Sequence, residues 1–92
     1  MSIFHYKAEL LQQSPTGSST YRFFPDCVMA KDVTGIFAVD PISWQPKIIE
    51  AAGAEEKGLV SSDARCVFAL TAKIKAEFEA NGVMPNEVLR IS

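Results

Sequence analysis

The string "SSDARCVFALTAKIKAEFEANG", residues 61 to 82, limits what this chain can become more than any other stretch. Val67, Leu70, Ile74 and Phe78 recur at i, i+3, i+7 and i+11, one narrow apolar stripe down a helix. Ser62 suits the N-cap, because its hydroxyl accepts a bond from a free backbone N–H, and Asp63 suits the positive helix end. Asn81-Gly82 supplies a left-handed terminator, and Pro85 lies beyond it. A single long helix with one apolar stripe needs a second layer to bury it against.

The rest of the chain reads mainly as strands. Ile3 to Gln12 places Phe4, Tyr6, Ala8 and Leu10 on one face, and Ile3, His5, Lys7, Glu9 and Leu11 on the other. "QQSPTGSS" collects turn residues and predicts an open loop between antiparallel strands. "TYRFFPDCVMA" is β-prone, with Pro25 marking an edge or a bulge. "KDVTG" is the next turn and "IFAVD" the third strand.

Signals conflict at "DPISWQPKIIEAAG". Pro46 fits the first turn of a short helix closed by Gly53, while the paired isoleucines fit an edge strand; the reading adopted is a short helix or turn. "GAEEKG" is a solvated loop, and "EVLRIS" closes the chain as a strand. The expectation is a single α+β domain over residues 1–92. It has a mostly antiparallel sheet of about four strands, with one long C-terminal helix packed on one face. The order is β-β-β-(short helix or strand)-α-β.

Aromatic and branched residues fall on both sides of these strands. Phe23 opposes Phe24, Ile36 opposes Phe37, and Ile3 and Leu11 oppose Phe4, Tyr6 and Leu10. One helix covers one face, so the second needs the 41–53 segment, a second copy or another partner. A homodimer is expected on this ground, two-fold association being the commonest solution. Tyr21, Phe23, Phe37 and Trp44 are its candidate interface residues. Trp44 stands between Pro41 and Pro46, either as a cap over the open sheet face or as an interface anchor. Ala69, Ala72, Ala76 and Ala80 lie opposite the helix stripe and allow close approach, although alanine is also the best helix former at exposed positions.

Charge excludes several classes. A net charge of −2 with no Lys/Arg cluster speaks against nucleic acid and against an anionic membrane surface. No apolar run approaches a transmembrane span, and "MSIFHYKAELL" does not spell a signal peptide, so the location expected is cytoplasmic.

Chemistry is sparse. The chain has one histidine and two cysteines, Cys27 and Cys66, without CxxC spacing; no metal, cofactor or catalytic set is assigned. A thiol-dependent or small-ligand pocket would draw on His5, Tyr6, Cys27 and Trp44, with Asp26 orienting the imidazole. The leading expectation is a non-catalytic interaction or regulatory module that self-associates through an apolar sheet face. Two alternatives remain: that pocket, and an inhibitor or immunity-type protein whose "GAEEKG" loop meets a basic partner.

Overall fold

The computed structural model describes residues 5–14, 17–59 and 62–91. Five strands and one helix form an α+β fold: β1 (His5–Gln12), β2 (Ser19–Phe24), β3 (Gly35–Val39), β4 (Pro46–Glu50), α1 (Asp63–Asn81) and β5 (Glu87–Ile91). The sheet is antiparallel throughout, in the order β4-β3-β2-β1-β5, with α1 packed on one face. The predicted start of the first strand at Ile3, and the placement of Phe4, lie outside the described residues.

Two expectations are corrected. β2 lies between β1 and β3 and ends at Phe24, so Pro25 follows a central strand and marks neither an edge nor a bulge. The second correction falls at β4. The segment from Pro46 is an edge strand, not a short helix, and pairs Val39 with Pro46, Ala38 with Lys47 and Phe37 with Ile48. Proline is tolerated as the first residue of an edge strand, and β-branched Ile48 and Ile49 suit the pleat. A bulge beside Ile36 and Phe37, with Lys47 in the strand, blunts this edge against further pairing.

Burial alternates along the central strands. Tyr6 and Ala8 of β1, Ser19, Tyr21 and Phe23 of β2, and Gly35, Phe37 and Val39 of β3 point under α1 and are buried. Phe37 stacks on Tyr21 with ring centres 5.7 Å apart and meets Phe23 edge-on at 5.8 Å. Gly35 makes this packing possible: a Cβ there would sit 2.5 Å from a Phe23 ring carbon and 2.5 Å from the Glu50 carbonyl oxygen. From above, α1 contributes Cys66, Val67, Leu70, Thr71 and Ile74, with Phe78 partly buried at the end of the stripe.

Both ends of α1 are built as the sequence spells them. The Ser62 hydroxyl accepts from the Arg65 N–H at 3.1 Å, and Gly82, with φ of 77°, closes the last turn through its N–H to the Phe78 carbonyl. Asp63 adds a clamp that is not visible in the sequence. Its carboxylate accepts the backbone N–H groups of Ala52 (2.8 Å), Gly53 (2.9 Å) and Ala54 (3.0 Å), fixing the loop after β4 to the start of the helix. Charge-assisted bonds of this kind are among the stronger hydrogen bonds in proteins. Tyr21 ties the other end, its phenol donating to the Pro85 carbonyl at 2.7 Å ahead of β5.

Candidate functional site

His5, Tyr6 and Cys27 adjoin along the backbone, while Trp44 stands elsewhere, in the β3–β4 turn against Phe78. His5 and Tyr6 are neighbours on β1, so their side chains leave opposite faces of the sheet. Cys27 meets His5 through the backbone, its N–H donating to the His5 carbonyl at 2.9 Å. Asp26 does not orient the imidazole. Its carboxylate accepts the Val28 and Met29 N–H groups at 3.2 and 3.0 Å and shapes the turn after β2.

Neither thiol is activated. Burial raises Cys27 above the ordinary thiol value and outweighs the lowering by its own N–H and by Lys7, with smaller raising contributions from Asp26 and Glu87. Cys66 is raised further, by burial first and then by Asp63 and Cys27, with its Sγ 3.7 Å from the Phe24 carbonyl. A nucleophilic cysteine needs the opposite environment. Among the described residues no group of three or more His, Cys, Asp or Glu side chains is placed to hold a metal ion.

Three of the four candidate interface residues are corrected to core. Tyr21, Phe23 and Phe37 are fully buried beneath α1 and offer nothing to a partner. Residue type could not separate these roles, because large aromatics fill cores and interfaces alike. The fourth, Trp44, lies in the β3–β4 turn. Asp40 forms that turn, its carboxylate accepting the Ile42 N–H at 2.7 Å and its carbonyl the Trp44 N–H at 2.8 Å. Trp44 itself sits in the left-handed region, φ 57°, which costs a non-glycine residue about 1–2 kcal/mol.

The Trp44 ring leans edge-on against Phe78, 5.4 Å between centres. It therefore closes the helix side of the molecule, not the open sheet face. An open groove of about 460 Å³ runs beside it, walled by Trp44, Pro46, Phe68, Thr71, Ala72 and Lys75.

The open sheet face is less apolar than its aromatic count suggests. Lys7, Glu9, Thr20, Arg22, Lys47 and Glu87 alternate there with Phe24, Ile36 and Leu89. Lys7 lies directly opposite Phe24, its ammonium 5.4 Å from the ring centre, and reaches Glu9 at 3.4 Å. The expectation of two apolar faces is thereby narrowed: one face is apolar and covered, the other mixes charges with half-buried Phe24 and Ile36 and exposed Leu89.

Exposed aliphatic side chains stand at Met29, Ile42, Ile49, Val83 and Leu89, and among the described residues the one exposed large aromatic is on α1. Phe68 is 74% exposed in the middle of the helix. At 100° per residue it falls on the outer face with Arg65, Ala72, Lys75, Ala76 and Glu79, all of them exposed. Phe68 was missed in the sequence because it stands off the Val67–Phe78 stripe. Its spacing of three and four from Arg65 and Ala72 was the available signal. The small residues Ala72 and Ala76 belong to this face, whereas Ala69 is partly buried at its border.

The "GAEEKG" loop is folded by its contacts to Asp63, which leaves Glu55 and Glu56 outward beside Lys57. No described helix is long and apolar enough to cross a membrane. Comparison with protein-family models, curated proteins and solved structures finds no match to this chain.

Proposed function

We propose that this chain is a non-catalytic protein-interaction module that works through the outer face of α1. The observation that carries the reading is Phe68, a large aromatic left 74% exposed on a helix whose inner stripe already fills the core. Truncating or covering an exposed aromatic of this kind is what changes affinity at protein interfaces, where aromatic and arginine anchors dominate. Arg65 and Lys75 flank it on the same face.

The opposite facing of His5 and Tyr6, and the raised thiols, support a binding role over a thiol-dependent one. Both cysteines are unpaired, which fits a reducing, cytoplasmic setting.

Selection of a random peptide library on the immobilised protein, with the Phe68→Glu variant as the parallel bait, tests the reading. Peptides enriched on the native protein should lose at least tenfold in affinity for Phe68→Glu. Equal enrichment on both baits, or none on either, would overturn it.

A further inference from the structure

The exposed positions Arg65, Phe68, Ala72, Lys75 and Glu79 are spaced three, four, three and four. That is the 3.5-residue repeat of a seam between two helices. Among the described residues α1 is the one helix, and none of them supplies the second. We propose that the partner is a second copy of this chain, docked through α1 as an antiparallel pair centred on Ala72. This rests on the interaction-module reading and names the partner of the same face.

Charge decides the direction. A parallel pair would set Arg65 against Arg65 and Glu79 against Glu79. Reversing one helix about Ala72 sets Arg65 opposite Glu79 of the second copy, twice by symmetry. The two residues lie 14 positions apart, about 21 Å along the axis, near the two ends of the contact. Among the described residues the one ion pair within the chain is Lys7–Glu9, so Arg65 and Glu79 enter the contact uncommitted.

Shape agrees with charge. In the same register Phe68 falls opposite Ala76 and beside Ala72 of the second copy, a large side chain over small ones, with the Lys75 stem of the second copy alongside. The isologous operator repeats each contact, so both exposed phenylalanines are covered at once. The competing surface, the open sheet face, already has Lys7 over its Phe24. One helix pair supplies a contact at the low end of stable interface sizes, so the association is sought from micromolar concentrations upward.

Sedimentation velocity from about 5 to 500 µM, on the native chain and on Arg65→Glu, Glu79→Arg and the double variant, tests the inference. Two attractive contacts become repulsive in each single variant, so dimerisation should weaken about tenfold. The double variant should recover to within about threefold. Both side chains are exposed, and circular dichroism should show all four proteins equally folded.

A native chain that is monomeric at 500 µM would overturn the inference. So would single variants without effect, or a double variant without recovery. Any of these results leaves the peptide selection free to succeed or fail separately, which keeps the partner's identity distinct from the role of the face.

Discussion

Phe24 and Phe68 are both aromatic rings outside the core, and their surroundings differ completely. Phe24, on the open face of the sheet, is half-buried, with the Lys7 ammonium 5.4 Å from its ring centre and the Glu9–Arg22 pair two positions along on the same face. Phe68, on the outer face of α1, has alanines around it and stands 74% exposed. A pleated sheet brings a long cation directly opposite the ring and covers it with the cation's own stem. The convex surface of a helix splays its neighbours apart and gives no such cover. An aromatic is spare for a partner where the chain has not already covered it, and here that is the helix.

The largest expected effect tests how sharply the two sides of the sheet differ. Phe23→Ala removes a fully buried ring seated over Gly35 and should cost about 3–5 kcal/mol. Phe24→Ala, one residue further on, should cost about 1 kcal/mol, the worth of an exposed cation–π contact and a little area. Urea unfolding of the two variants measures the gap. Equal losses would mean that the open face is a second core, and the comparison would break.

The clamp at the start of α1 comes next. Asp63→Ala leaves the N–H groups of Ala52, Gly53 and Ala54 without their acceptor and should cost about 2–3 kcal/mol. Hydrogen exchange should quicken first at those three amides. A loss spread evenly over the molecule would contradict a local role for the clamp.

Tyr21→Phe should cost about 1 kcal/mol, because the Pro85 carbonyl loses its donor. Its pH dependence tells more. Burial pushes the Tyr21 phenol up to about 12, against about 10 in the unfolded chain. Between those values the unfolded state binds fewer protons, so stability is complete below pH 10 and falls as pH rises through 12. The decline is on the order of 2 kcal/mol and should shrink in Tyr21→Phe. An unchanged alkaline slope would place the loss on Cys66, the other buried acid raised above its ordinary value.

The parts of this fold that could be read from the sequence are those whose causes are local. Ser62, Asp63 and Gly82 mark the ends of α1 by chemistry within a turn of each end, and the helix begins and stops where they stand. The three-stranded meander follows from its short connections. β4 was less legible because "PKIIE" spells a helix start and an edge strand equally well. The decision comes from Phe37 and Ala38, which pair with it across the turn.

The candidate site failed in the sequence for a related reason. Tyr21, Phe23 and Phe37 look like interface residues until it is known which side α1 covers. Phe24 looks like excess apolar surface until the β1–β2 register puts Lys7 against it. Long-range register is absent from any single window of sequence.

The most direct test sets the two rings against each other. Light scattering over a range of concentrations should be run on the native chain, on Phe68→Glu and on Phe24→Glu. The account predicts a native dimer that dissociates in Phe68→Glu and persists in Phe24→Glu. A dimer broken by Phe24→Glu and untouched by Phe68→Glu, or a native chain monomeric throughout, would contradict it.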